Sequence, residues 1–420
     1  MGPRGRRPCH TPSVAGASIE LNASDQAMLA GEKGPGIALA MRVVTETAGQ
    51  MGAARLLDIT SAHIDGCLFH GMAGLDFARK LLEGGARAQV PATLNVGALD
   101  LLHPDLYRGP PGTAALSREL MDIYEQLGCA PTWTCAPYQL ATRPRFGEQV
   151  AWAESNAVVF VNSVLGARSN RYGDFIDISC AVTGRAPASG LHLDEGRRAT
   201  IEIWIEDDVP KESDWVYPIL GCVVGEIAGS SVALLRDLPS GLSEDRLKAL
   251  GAGAATTGSV ALFHAVGSTP EALDPLSLPI ASSPTRLKIT MSDIEGMRAN
   301  LSNASGAKPD AVSLGAPHYS ATELEVVVEM LAGRKVHKPT YVNTGRGVLE
   351  QRPDLAQNLE EAGVTVVTDT CTYLTPILDP EVRVVVTDSG KWAYYAPGNI
   401  GVGVIFASTR ECVETAVSDG

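Results

Sequence analysis

The stretch TSAHIDGCLFHG, residues 60–71, sets two histidines, an aspartate and a cysteine among glycines, directly behind the apolar run ARLLDI of residues 54–59. Thiols and imidazoles are soft metal ligands and nucleophiles, so their crowding at the end of a buried strand asks for a chemical reason. Two further cysteines sit in comparable polar, turn-rich surroundings: Cys135 in TWTCAPY and Cys371 in VVTDTCTYL. Cys67, Cys135 and Cys371 together suit a metal centre assembled from distant segments. The competing reading is that free cysteine packs as a small hydrophobe, which is preferred for Cys9, Cys129, Cys222 and Cys412, with Cys180 between the two. His63 and His70 are structural imidazoles unless both face a cleft. A thiol nucleophile, Cys135 or Cys371 paired with His63 or His318, is the rival catalytic reading.

A second concentration of chemistry follows the apolar run AVVFVNSV, residues 157–164, read here as a strand. Ser163, Arg168, Asn170 and Arg171 place guanidinium forks beside hydroxyl and amide donors, a set suited to a carboxylate or phosphate. His192, Asn343, Thr344, Arg346, Ser389 and Lys391 add candidates from GLHLDEGR, YVNTGRG and VTDSGKWAYY. Each of these alone could be structural, and for any single arginine a salt-bridged surface turn is the favoured reading. No Walker A loop, dinucleotide fingerprint, H-E-x-x-H or C-x-x-C occurs, which removes the common nucleotide and zinc signatures.

Something must hold these groups in place. Three segments repeat one grammar of amphipathic helix, short β-branched run and Gly- or Asn-rich turn: residues 73–100, 323–347 and 353–374. In the first, Leu75, Phe77, Leu81 and Leu82 form a helix face that Gly84 and Gly85 terminate. In the last, Gly363 caps a helix before VTVVTD leads to Cys371. Such units build parallel α/β sheets, whose ligands bind beyond the carboxyl ends of the strands. The small-residue segment of residues 249–264 reads as a tightly packed structural helix or turn.

Composition narrows the function. The 420 residues exceed one hydrophobic core and imply two or three α/β subdomains over residues 19–420, behind a flexible leader of residues 1–18. A formal net charge of −14 argues against nucleic-acid binding. No apolar run of about 18 residues reads as a membrane span. No secretory signal is read at the start, so the chain is expected in the cytoplasm with reduced cysteines.

SAHIDGCLFHG, PATLNVGALDL, the long run from TCAPYQL to LGARSNR, GRAPASGLHLDEGR, GSVALFHAVGSTPEA and TDTCTYLTP resemble, in order, the large-subunit portion of aconitase X. The resemblance runs over nearly the whole chain from Ile19. It implies an α/β, aconitase-like multi-domain arrangement around a central iron-sulfur and substrate cleft, without the small swivel domain, which a separate small subunit would supply. It implies a dehydratase acting on cis-3-hydroxy-L-proline, with mevalonate 5-phosphate as runner-up, and an iron-sulfur cluster of open nuclearity (2Fe-2S, 3Fe-4S or 4Fe-4S) on Cys67, Cys135 and Cys371. Ser61 and His63 become substrate-facing catalytic candidates. Asn95, Ser163, Arg168, Asn170, His192, Arg346, Ser389 and Lys391 become substrate-binding candidates, and Glu154 or Asp194 candidates for a ring nitrogen. Ala316 stands where some relatives carry cysteine. A cluster-free metabolite-binding protein is the alternative from another class.

Overall fold

The computed structural model describes residues 19–419. The leader expectation and Cys9 lie outside them. Three α/β units follow one another along the chain. In the first, strand Ala62–Ile64 lies between Ala92–Leu94 and Ala151–Trp152, all parallel, while Leu56–Asp58 pairs antiparallel with Arg185–Pro187. The strand that carries the first motif is therefore inside it, at Ala62–Ile64. ARLLDI forms a separate short ribbon. Helix Met72–Glu83 buries Leu75, Ala78 and Leu81 and stops at Gly84, as its period requires.

The second unit is a parallel four-stranded sheet in the order Phe263–Ala265, Ala233–Arg236, Ala199–Ile205, Ile280–Ile289. Its helices Val216–Ala228 and Glu244–Thr257 pack backbone against backbone. A Cβ at Gly253 would meet the Pro218 carbonyl oxygen at 2.5 Å, and one at Gly221 the Leu250 carbonyl oxygen at 2.1 Å. The small residues are thus a packing device, as the sequence indicated.

The third unit is a doubly wound parallel sheet ordered Thr365–Val367, Thr340–Thr344, Ala311–Tyr319, Val384–Thr387, Gly403–Phe406. Ala311–Tyr319 comes first in sequence and sits in the middle, so the winding reverses between it and Val384–Thr387. Ligand crevices form outside the carboxyl ends of strands at such a reversal.

The run Ala157–Val164, read as a strand, is instead mostly helix: Ser155–Ser163. Asn156 through Ser163 are all buried, so the helix has no polar face to betray its 3.6-residue period. The Glu154 carboxylate caps it by accepting from the Ala157 N–H at 2.7 Å.

Candidate active site

The winding reversal of the third unit brings the chemistry together. His318 ends strand Ala311–Tyr319, Cys371 follows strand Thr365–Val367, and Lys391 opens helix Gly390–Asn399 behind strand Val384–Thr387. The first unit closes over these strand ends and adds Cys135, Asn95, Asp65 and Glu154. Ligand atoms of Cys135, His318 and Cys371 lie within 4.8 Å of one another, all buried. Beside them opens a cleft of about 370 Å³ whose lining includes Cys135, Asp65, Asn95, Glu154, Tyr373 and Lys391.

The electrostatics of this group are unusual for a core. Burial pushes the Cys135 thiol up, but the hydrogen bond from Cys371, His318 and the Lys391 ammonium outweigh it and bring it down to about 6. Cys371, on the other side of that shared proton and buried, is pushed well up. The backbone N–H of His318 also donates to Cys135 Sγ at 3.3 Å. Of the two, Cys135 is the one whose deprotonation is favoured, and the thiolate is the form that binds metal. Burial works against the Lys391 charge, yet the adjoining Glu154 carboxylate keeps it firmly protonated, and Glu154 in turn is held below the usual carboxylate range. Lys391 Nζ also reaches Ser155 Oγ at 3.4 Å.

Asp65 lies on the cleft floor one residue beyond strand Ala62–Ile64. Burial, with the charges of Glu154 and Asp174, pushes its carboxyl up to about 7. Its loop is pinned from beneath: Asp177 Oδ2 accepts from the Asp65 and Gly66 N–H groups at 2.7 and 3.1 Å. Asn95 donates to Asp65, leaving its own Oδ1 buried without a partner among the described residues. An orphaned buried acceptor at a cleft wall is what a ligand donor would satisfy.

Of the residues singled out from sequence, Cys135, His318, Cys371, Asn95, Glu154 and Lys391 meet here, and His70 and Arg171 also line the cleft. The rest are placed differently. Cys67 turns under the first sheet, where its thiol faces the carbonyls of Ile64 and Asn95, each at 3.4 Å, and burial pushes it well up. It is part of that unit's apolar core and not of the Cys135 group. The expected trio of cysteines is a pair with a histidine. His63 lies within strand Ala62–Ile64, its Nδ1 2.9 Å from Thr93 Oγ1, and burial lowers it to about 3. Ser61 stands at the opposite, amino end of that strand, where its carbonyl accepts from the Ala151 N–H. Neither lines the cleft.

The arginine-rich turn is structural. Arg168 spends its fork on the His192 carbonyl at 3.2 Å and Asp194 at 2.5 Å. Asn170 clamps Ser189 and Leu191, Ser163 accepts from the Phe263 N–H, and His192 is satisfied by Gln149 and Tyr172. Arg171 alone of that turn lines the cleft. Arg346 grips Asp369 beside Cys371, Asn343 bridges Leu314 and Thr372, and Ser389 caps the Lys391 helix by accepting from the Trp392 N–H at 3.0 Å. His318 and Asp65 carried less weight in the sequence; the signal for both is their position at or just past the end of a parallel strand.

This geometry has counterparts. The Aconitase X first, second and third domains match residues 18–195, 199–299 and 309–418. A cis-3-hydroxy-L-proline dehydratase of Pseudomonas aeruginosa is 41% identical over 409 residues, covering 96% of this chain and 70% of that protein. The chain belongs to the aconitase X family. A second cis-3-hydroxy-L-proline dehydratase, from Hypocrea jecorina, is 39% identical over 96% of this chain and 70% of its own length. The phosphomevalonate dehydratase large subunit of Methanosarcina mazei is 34% identical and matches over 94% of this chain and 96% of its own. The crystal structure of Thermococcus kodakaraensis aconitase X (holo-form) superposes with a TM-score of 0.86 at 31% identity, over 95% of this chain and 100% of that one. No helix among the described residues is long and apolar enough to cross a membrane.

Proposed function

We propose that this aconitase X chain is the large-subunit portion of an iron-sulfur hydro-lyase that eliminates water from cis-3-hydroxy-L-proline. The observation that carries the reading is the buried Cys135–His318–Cys371 group beside the Lys391–Glu154 pair, in a chain 41% identical to a dehydratase of that substrate. A thiolate already favoured at Cys135, and two further ligand atoms within 4.8 Å, fit a resident metal group. Cys135 and Cys371 would hold it. When bound, its iron supplies a Lewis acid toward the leaving hydroxyl.

The chain's own residues do the rest. Elimination removes a proton from the carbon next to the carboxylate and the hydroxyl from its neighbour, and the two leave as water. Lys391, charged and backed by Glu154, binds the substrate carboxylate and offsets the charge that builds on it as the proton departs. Asn95 offers an unpaired acceptor that orients a substrate donor. Asp65, near pH 7 in its readiness to exchange a proton, holds or passes one at the cleft floor. The cleft favours the imino acid over the phosphate ester, because three carboxylates, Asp65, Glu154 and Asp174, face only Lys391 and Arg171 as full cations. A phosphate dianion asks for more donors than that.

The Methanosarcina relative is by name a large subunit, which supports a small swivel-domain partner completing the site of a two-subunit enzyme. The test is anaerobic copurification with a small-subunit candidate, then turnover with each substrate. Faster turnover of mevalonate 5-phosphate than of cis-3-hydroxy-L-proline would reverse the substrate assignment. Protein without iron and without turnover of either would sink the reading.

A further inference from the structure

The described residues bring only two cysteines to the metal group, and Ala316, two positions before His318, has no donor side chain. The third buried ligand atom there belongs to a histidine. His318 Nε2 lies 3.0 Å from the Thr370 carbonyl oxygen, the residue directly before Cys371. A carbonyl can only accept, so Nε2 carries the proton and Nδ1 keeps its lone pair. Nδ1 is met by the Thr134 hydroxyl at 3.1 Å, next to Cys135. Ligating imidazoles are oriented in the same way on one side, one nitrogen donating to a backbone carbonyl so that the other carries the lone pair; here that lone pair accepts from Thr134. Both contacts come from residues adjacent in sequence to the two cysteines, so the loops that carry the thiols also set the tautomer. His318 is fully buried, with no route for its ring to serve as a solvent-facing base.

We infer that His318, through Nδ1, is the third protein ligand beside Cys135 and Cys371, so that iron here is held by two thiolates and one imidazole. The inference rests on the iron-sulfur reading above. Its consequence is a centre of higher reduction potential than an all-thiolate one, since imidazole carries no negative charge to the metal. Thr134 would give up its hydrogen bond to Nδ1 and retain the one it accepts from the Ala136 N–H at 3.1 Å.

The test uses the full chain with its small partner, produced with ¹⁵N-histidine and purified anaerobically. Pulsed EPR of the dithionite-reduced protein should show a ¹⁵N coupling of the strength that direct ligation gives, absent from natural-abundance protein. His318→Ala should lose that coupling together with most of its iron. His318→Cys should retain iron and sulfide, lose the coupling and fall in potential. A wild type with full iron and sulfide but only weak, through-space nitrogen couplings would overturn the assignment while leaving the dehydratase reading intact. Persistence of the coupling in His318→Ala would overturn it equally. Wild type lacking iron and sulfide altogether would overturn both readings at once.

Discussion

Lys391 and Glu154, 237 positions apart in sequence, form a buried ion pair across the boundary of the first and third units. Neither side chain is more than 7% exposed. A buried pair of this kind is weak evidence of net stabilisation, since two desolvation penalties offset the attraction. Its value lies in presetting a cation at the cleft wall while fixing how two units meet.

The pair predicts a strong asymmetry between single and double substitution. Glu154→Gln strands an ammonium in the interior and should cost about 3–5 kcal/mol of unfolding free energy, and Lys391→Met should cost about as much by stranding the carboxylate. The double variant should recover most of that loss, because neither charge is left uncompensated. Urea midpoints of the four proteins give the coupling. Strict additivity would mean that the two charges are separately solvated.

The cysteines separate in the same spirit. Cys135→Ser and Cys371→Ser should each abolish the visible absorption and most of the iron of anaerobically prepared protein. Cys67→Ala should keep both and lose stability on the order of 1 kcal/mol, the scale of a small core truncation. Iron and sulfide analysis of the three variants decides it; loss of iron on changing Cys67 would return that residue to the ligand set.

Asp65 predicts a pH dependence whose sign is fixed. Its carboxyl sits at about 7 in the fold against 3.8 for an ordinary aspartate, so the unfolded chain releases the proton first. The stability it contributes is complete below pH 4 and is lost as pH rises toward 7. Asp65→Asn, which cannot ionise, should gain on the wild type across that window by on the order of 4 kcal/mol and then run parallel above it. Chemical denaturation at pH 5, 6, 7 and 8 reads the difference directly. A gap that does not widen with pH would place Asp65 in wetter surroundings.

What the sequence disclosed, and what it hid, follows the range of the interactions. Helices Met72–Glu83 and Pro353–Glu361 were legible because each has one apolar face, and the latter ends on the left-handed Gly363. Cys371 was legible as a group just past a parallel strand, and the multi-segment resemblance carried the family. Ser155–Ser163 was hidden by uniform burial. Cys67 was hidden because what surrounds its thiol includes the carbonyls of residues 95 and 96, some thirty positions away. His318 shares the strand-end position of a ligand, yet its orientation depends on carbonyl and hydroxyl partners 52 and 184 positions distant. Arg168 and Arg346 advertise an anion site, and only the folded chain shows that Asp194 and Asp369 already fill it.

Arg346 gives the sharpest separation between support and substrate binding. Its Nε donates to Asp369 Oδ1 at 2.8 Å while a second nitrogen takes Oδ2, and Asp369 also accepts from the Leu101 N–H at 3.1 Å. The Asp369 carbonyl receives the Gly97 N–H at 2.7 Å, and the residue holds a left-handed φ of 60° that an L side chain seldom adopts. The strut thus ties the loop after Asn95 to the loop that delivers Cys371. Lysine keeps the charge but cannot reproduce the fork. Arg346→Lys should therefore lose about 1.5–3 kcal/mol of stability, the scale of a hydrogen bond to a charged group, and hold its iron less firmly on chelator challenge. Because Arg346 does not line the cleft, KM measured on the iron-loaded fraction should stay at the wild-type value. An unchanged urea midpoint with a raised KM would make Arg346 a substrate ligand after all.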